Sequence, residues 1–243
     1  MLISIIVPAF NEERLLPACL KAIDAARAKF TDLGWDSEVI VCNNNSTDRT
    51  GEVAEKLGAR VVFEPVNRIS TARNAGARAA RGDWLVFVDA DSEPPPGLFQ
   101  AVARHIRCGK AIGGGALMRF PDKTPIGELS LILWNWCSRL WRLGAGAFLF
   151  VEAAAFQAIG GFDEALYASE EIRFSIKLGL LGRRSKRQFV IIHKPRQLTS
   201  SRKLRLYSWR ELVPQIARMV VSLPLAVRTR EACAFWYDGR REP

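Results

Sequence analysis

Asp83-Trp84-Leu85-Val86-Phe87-Val88-Asp89-Ala90-Asp91-Ser92-Glu93 is the stretch on which the fold turns. Its apolar run, Trp84 to Val88, has the length and composition of a strand buried on both faces. It stops at two carboxylates one residue apart, and Pro94-Pro95-Pro96-Gly97 forces a turn straight after. In an α/β sheet such a strand end opens on the carboxyl edge, where ligands bind. Asp89 and Asp91 offer hard oxygen donors suited to Mn2+ or Mg2+, and through the ion to a diphosphate. Taken alone, the Asp-x-Asp step reads equally as a strand followed by an acidic turn, so the flanking chain has to decide.

Upstream, strands and helices alternate. Ile3 to Val7 is an aliphatic strand, and Pro17 fits the first turn of a helix reaching about Phe30. Glu38 to Cys42 is a second strand, followed by a helix from Asp48 to Leu57 that Ser46 or Thr47 can cap. Arg60 to Phe63, an alanine-rich helix from Ile69 to Ala80, and the strand into Asp89 complete a doubly wound α/β pattern.

Downstream, a helix to Cys108 precedes a strand from Ile112 to Met118. Within that strand, Gly113-Gly114-Gly115 predicts a close backbone approach without having phosphate-loop spacing. Ile126 to Leu143 is helical and carries Trp134, Trp136 and Trp141, which read as core or interface residues. Ser169 is placed to cap a helix that opens on Glu170-Glu171, and Gln188 to Ile192 is a last strand before His193.

The chain's 243 residues suffice for one large domain or a domain with an extension. Nothing at the N-terminus reads as a signal peptide, no stretch reaches bilayer length, and the five cysteines show no close pairing, which together predict a reducing cytoplasm. The net charge of +10 is one-sided: residues 183–243 hold 15 Lys/Arg against 4 Asp/Glu, and residues 1–182 are nearly neutral. Such a segment predicts an anionic partner.

Polar groups gather at successive strand ends: Asn11 and Glu12, Asn43 and Asn44, Arg68 and Arg73, Asp89 and Asp91. Amides and carboxylates there can hold a base and ribose, and arginines can hold phosphates. The serine-hydrolase elbow, the Walker loop and any Cys/His metal set are all missing.

The ordered segments resemble the GT-A inverting glycosyltransferases of family 2 over roughly residues 3–192. Ser4-Ile5-Ile6-Val7-Pro8-Ala9-Phe10-Asn11-Glu12-Glu13 is similar to the opening strand and nucleotide-binding turn of that family. Asn43-Asn44-Asn45-Ser46-Thr47-Asp48-Arg49-Thr50 resembles its Asp-Asp-x-Ser-Thr-Asp-x-Thr segment. Arg73-Asn74-Ala75-Gly76, Gly82-Asp83 and Asp89-Ala90-Asp91 follow in the family's order, and Gly160-Gly161-Phe162-Asp163-Glu164 with Glu170-Glu171 resembles its acceptor-side motif.

The resemblance implies a Rossmann-like, mostly parallel sheet flanked by helices, with a nucleotide-sugar half at about 1–97 and an acceptor half at about 98–193. Residues 194–243 would form a basic helical extension. Pro8, Ala9 and Glu12 would line the nucleoside pocket, Asn44 would face the base, and Arg73 would lie near base or diphosphate. Asp89 would meet ribose and metal, Asp91 would ligate Mn2+ or Mg2+, and His193 is a further candidate ligand. Glu171 would be the general base, with Glu170 its competitor because the usual Glu-Asp pair is Glu-Glu here. Asn43 and Asn44 replace the usual aspartates, which leaves the base open, with UDP favoured over GDP.

Past the last strand, Arg202 and Lys203 sit in a donor-rich loop, and Trp209, Leu212, Val213, Ile216, Val220 and Leu223 recur at helical spacing. This segment is either packing against the parent domain or an apron on an anionic membrane or lipid-linked acceptor, peripheral to the inner membrane face. Nucleic acid is not expected. Two rival readings are a sugar nucleotidyltransferase, whose glycine-rich loop is missing, and a non-catalytic nucleotide-sugar binding protein, against which the intact Asp89, Asp91 and Glu171 speak.

Overall fold

The computed structural model describes residues 1–122 and 124–202, together with Thr229 and Cys233. Lys203 and the stripe from Trp209 to Leu223 lie outside the described residues.

Strand β1 (Leu2–Ala9) takes the centre because its aliphatic run can be buried on both faces: Ile3, Ile5, Ile6 and Val7 are fully buried. It pairs in parallel with β2 (Asp36–Asn43) on one side and β4 (Trp84–Val88) on the other, and β3 (Arg60–Phe63) extends the parallel sheet beyond β2. The eight strands run in the order β3-β2-β1-β4-β7-β6-β8-β5. The later members are β5 (Ser92–Glu93), β6 (Ala111–Arg119), β7 (Phe148–Glu152) and β8 (Gln188–Thr199). Pairings of β7 with β4 and β6, and of β5 with β8, are antiparallel, so the doubly wound pattern holds for the first half and the sheet as a whole is mixed.

Helices cover both faces. On one, α1 (Leu16–Thr31) buries Leu16, Cys19, Leu20, Ile23, Ala26 and Phe30, a spacing of three and four that makes one apolar stripe. It packs on α4 (Pro96–Cys108), where Phe30 and Phe99 stack at 5.1 Å. On the other face lie α3 (Ile69–Ala79), α6 (Ala153–Ala158) and α7 (Glu170–Arg184). Phe162 joins them to the sheet, stacking on Phe174 at 4.4 Å and meeting Phe87 edge-on at 5.1 Å. Helix α2 (Thr50–Lys56) follows β2, and α5 (Pro125–Trp141) follows β6.

Three local expectations are corrected. Helix α2 is not capped by Ser46 or Thr47, whose groups are bound to Asn11; Asp48 Oδ1 accepts from the Thr50 amide instead at 2.9 Å. Ser169 makes no cap bond, because its backbone is left-handed at φ 60°. The last strand does not stop at Ile192. Between the pairs Ala116–Ile192 and Met118–Gln197 the register shifts, so residues 193–196 bulge out and β8 resumes to reach Thr199.

The glycine triplet serves the sheet, not a ligand. A Cβ on Gly114 would stand 2.2 Å from the Val190 carbonyl oxygen, and one on Gly113 would stand 2.6 Å from that of Phe150. Both obstacles are backbone in neighbouring strands and cannot rotate away. Gly114→Ala should therefore lower the unfolding free energy by about 1–3 kcal/mol, measured by urea denaturation. An unchanged midpoint would show that the strands are not so closely set.

Candidate active site

The carboxyl ends of β1, β2 and β4 lie together because Ala9 pairs with Asn43 and Ile6 with Phe87 in a parallel sheet. At that edge the β1 turn is bonded onto the loop after β2. Asn11, at φ 52°, donates its amide to Ser46 Oγ and accepts from the Thr47 amide, while the Glu12 amide donates to Thr50 Oγ1 at 2.8 Å. Asn44 is buried, its Nδ2 donating to the Val66 carbonyl at 2.6 Å, and no described residue donates to its Oδ1. That leaves an amide acceptor beside the end of β1, where the Asn44 backbone amide donates to the Ala9 carbonyl at 2.8 Å.

The Glu12 carboxylate is engaged by the chain itself. Arg202 reaches across 190 positions to bind both of its oxygens, at 2.9 and 2.6 Å, in a buried bidentate pair. Arg202 is thus an internal tie between the C-terminal segment and the β1 turn, not a residue facing an anionic surface as its place in the basic run suggested.

Beside this edge lies a cavity of about 450 Å3 lined by Arg73, Asp89, Asp91, Glu170 and Glu171, with Thr199 and Ser200 from the far end of β8. Trp134, Met118 and Phe120 form an apolar wall. Arg73 stands at its heart. One guanidinium nitrogen meets Asp89 Oδ1 at 2.9 Å and the other meets Glu170 Oε1 at 2.6 Å, while Phe162 lies 5.3 Å away beneath the cation. Burial disfavours the charge, but Asp89 and Glu170 more than offset this and hold Arg73 firmly protonated.

The two acids at the start of α7 therefore differ. Glu170 is buried and spoken for by Arg73. Glu171 lines the same cavity, in no salt bridge with a described residue, and burial first, then the neighbouring Glu170, push it up to about 8. The sequence spacing could not separate them. The signal lay in Arg73, which can neutralise only one.

Of the residues picked out from sequence, the cavity gathers Arg73, Asp89, Asp91, Glu170 and Glu171. Pro8, Ala9, Glu12 and Asn44 belong to the adjoining strand edge. His193 is exposed on the β8 bulge and does not line the cavity. Sequence reasoning missed Thr199 and Ser200, which the continuation of β8 delivers: Ser200 donates its amide to the Asp91 carbonyl at 3.2 Å, and Thr199 Oγ1 meets Ser92 Oγ at 3.0 Å. No group of three or more His, Cys, Asp or Glu is set to hold a metal among the described residues. Asp89 and Asp91 alone match the oxygen chemistry of Mn2+ or Mg2+, which keep waters and phosphate oxygens as remaining ligands.

Residues 4–154 match the description "Glycosyl transferase family 2", and the chain belongs to that family. Among curated proteins it is 36% identical over 109 residues to the uncharacterized glycosyltransferase EpsJ of Bacillus subtilis, covering 43% of this chain and 30% of that one. It is 35% identical over 102 residues to an undecaprenyl-phosphate 4-deoxy-4-formamido-L-arabinose transferase of Pseudomonas aeruginosa, covering 39% and 29%. The matched stretch thus spans less than a third of either relative. In fold, it is similar to glucosyl-3-phosphoglycerate synthase of Mycobacterium tuberculosis, solved with Mn2+, UDP-glucose and phosphoglyceric acid. The TM-score is 0.62 at 20% identity, over 96% of this chain and 79% of that one. The mixed α/β sheet with flanking helices is the GT-A arrangement. Among the described residues no helix is long and apolar enough to cross a membrane.

Removing one partner of a buried ion pair costs about 3–5 kcal/mol, because the other charge stays buried. Arg73→Met is expected to destabilise the fold by that order at pH 7, whereas a surface pair such as Lys29–Asp32 contributes less than about 1 kcal/mol. Equal effects from Arg73→Met and Lys29→Met in chemical denaturation would remove Arg73 from its structural role.

Proposed function

We propose that this chain transfers a sugar from a nucleoside-diphosphate sugar, UDP favoured, to an acceptor hydroxyl or lipid phosphate with inversion. The observation that carries the reading is the division of labour at the start of α7: Arg73 occupies Glu170, and Glu171 lines the cavity of Asp89 and Asp91 with a desolvated carboxylate that no described residue holds in a salt bridge. The relatives support it by their names, which pair a sugar with undecaprenyl phosphate in one case and UDP-glucose with Mn2+ in the other.

Glu171 takes the proton of the acceptor hydroxyl as that oxygen bonds to the anomeric carbon. The bond from that carbon to the diphosphate oxygen breaks on the opposite face, so configuration inverts. A lipid phosphate, already ionised at neutral pH, would need no such base. Asp91, with Asp89 beside it, would hold Mn2+ or Mg2+, which offsets the charge gathering on the departing diphosphate. Arg73 fixes Asp89 at the metal side and Glu170 at the acceptor side, keeping the distance between them constant. The base sits against Pro8, Ala9 and the free Asn44 oxygen, which suits a uracil N–H donor. The Met118, Phe120 and Trp134 wall excludes water that would otherwise hydrolyse the donor. The reaction belongs on the cytoplasmic side, where nucleotide sugars and reduced thiols coexist.

Two measurements test this. Calorimetric titration with UDP-sugars should show binding that is lost in chelator and weakened by Asp91→Asn; titrations indifferent to the metal would sink the role given to Asp91. Glu171→Gln should bind donor as the natural protein does yet lose about 10²–10⁴-fold in transfer to a hydroxyl. Turnover retained in that variant would move the base elsewhere.

A further inference from the structure

We infer that the outer face of α5, continued by α7, is a docking surface for an anionic lipid bilayer. The helix presents Leu129, Ile132, Leu133, Trp136, Leu140 and Trp141 to solvent, each more than half exposed. The first five recur at intervals of three and four, so they form one stripe along the helix. The opposite face is used: Leu131, Asn135 and Ser138 are buried, and Asn135 bonds both backbone groups of Met118 at 3.0 Å. The stripe is thus a second apolar face on a helix already anchored by its first.

The face continues onto α7. Trp136 meets Trp141 edge-on at 6.0 Å, and Trp141 lines a depression shared with Ile176 and Leu180, themselves more than half exposed. An exposed apolar surface of this extent is uncommon on a molecule surrounded only by water.

Charge selects the occupant. Residues 129–143 and 172–187 contain no Asp or Glu, while Arg139, Arg142, Arg183, Arg184 and Lys186 stand exposed at the far ends of the two helices. None of these five is in a salt bridge with a described residue, whereas Arg173 and Arg187 are, with Asp163 and Glu152. Glu128, in the first turn of α5, is the one acid on that helix, at the end away from these cations. An apolar stripe with tryptophans and a cationic border at the far ends of both helices is the chemistry of a helix lying in the headgroup layer of an anionic leaflet. A second copy of the chain would bring five like charges against five, which disfavours a self-paired interface here.

The placement fits the acceptor side. Trp134 lies between Ile132 and Trp136 in sequence but lines the cavity that contains Glu171. The cavity is therefore about one helix diameter, roughly 10 Å, from the docked surface. A lipid-linked acceptor could reach it without leaving the leaflet. This deepens the proposed transferase reading through its acceptor, but its test does not need transfer at all.

The test is sedimentation of the full chain with vesicles of phosphatidylcholine, alone or mixed with phosphatidylglycerol. The natural protein should bind the mixed vesicles, and more weakly at high salt. Leu133→Glu with Leu140→Glu should weaken that binding about tenfold or more, with donor-nucleotide binding and melting temperature unchanged. Arg183→Glu should weaken it about fivefold or more. Three results would overturn the inference: no vesicle binding by the natural protein; a lowered melting temperature in the leucine double variant, meaning that the chain itself covers the stripe; or self-association that this variant abolishes without a change in vesicle binding. Loss of sugar transfer with vesicle binding intact would instead strike the catalytic reading alone.

Discussion

The buried guanidinium of Arg73 is the constraint around which the two halves of this molecule meet. It rises from α3 and binds Asp89 at the end of β4 and Glu170 at the start of α7. Both contacts are short, and the one to Glu170 is buried on both sides, so neither carboxylate can drift without stranding a buried cation. The aromatic stack of Phe87, Phe162 and Phe174 under it sets the height of α7 above the sheet. Position and charge at the cavity are thereby settled together. Asp89 is held beside Asp91, Glu170 is paired with the same guanidinium, and Glu171 is left outside that pairing.

A second tie closes the nucleotide edge. Arg202 grips Glu12 with both nitrogens, drawing the end of β8 across the β1 turn. The same continuation of β8 brings Thr199 to Ser92 and Ser200 to Asp91. The strand that completes the sheet thus also supplies the wall opposite Arg73.

Much of this was legible in the sequence, for identifiable reasons. Continuous aliphatic runs such as Ile3 to Val7 and Trp84 to Val88 give strand placement almost to the residue, because burial on both faces leaves no other reading. The strand-end acids Asp89 and Asp91 were likewise visible, since the apolar run stops at them. What failed was everything decided by contacts distant in sequence. Residues 193–196 looked like a strand end because Pro195 breaks the local pattern, while pairing with Met118 and Arg119 restores the strand beyond it. Arg202 looked like one of many surface cations, since nothing nearby marks it as the partner of Glu12. The equal spacing of Glu170 and Glu171 hid their difference, which depends on a cation about a hundred residues away. Trp136 and Trp141 of α5 read as core or interface residues but stand more than half exposed, because helical spacing does not say which face remains uncovered.

The account stands or falls on Glu171 acting as a desolvated base whose partner acid is held by Arg73. The most direct measurement is the pH dependence of sugar transfer to a hydroxyl acceptor at saturating donor. Only the ionised carboxylate accepts a proton, so a base held near 8 requires the rate to climb through the mildly alkaline range and level above it. Glu170→Gln removes the neighbouring negative charge that helps raise Glu171, and the climb should then move to lower pH. A rate that is flat from acid to alkaline pH, or a profile that Glu170→Gln leaves in place, would contradict the account.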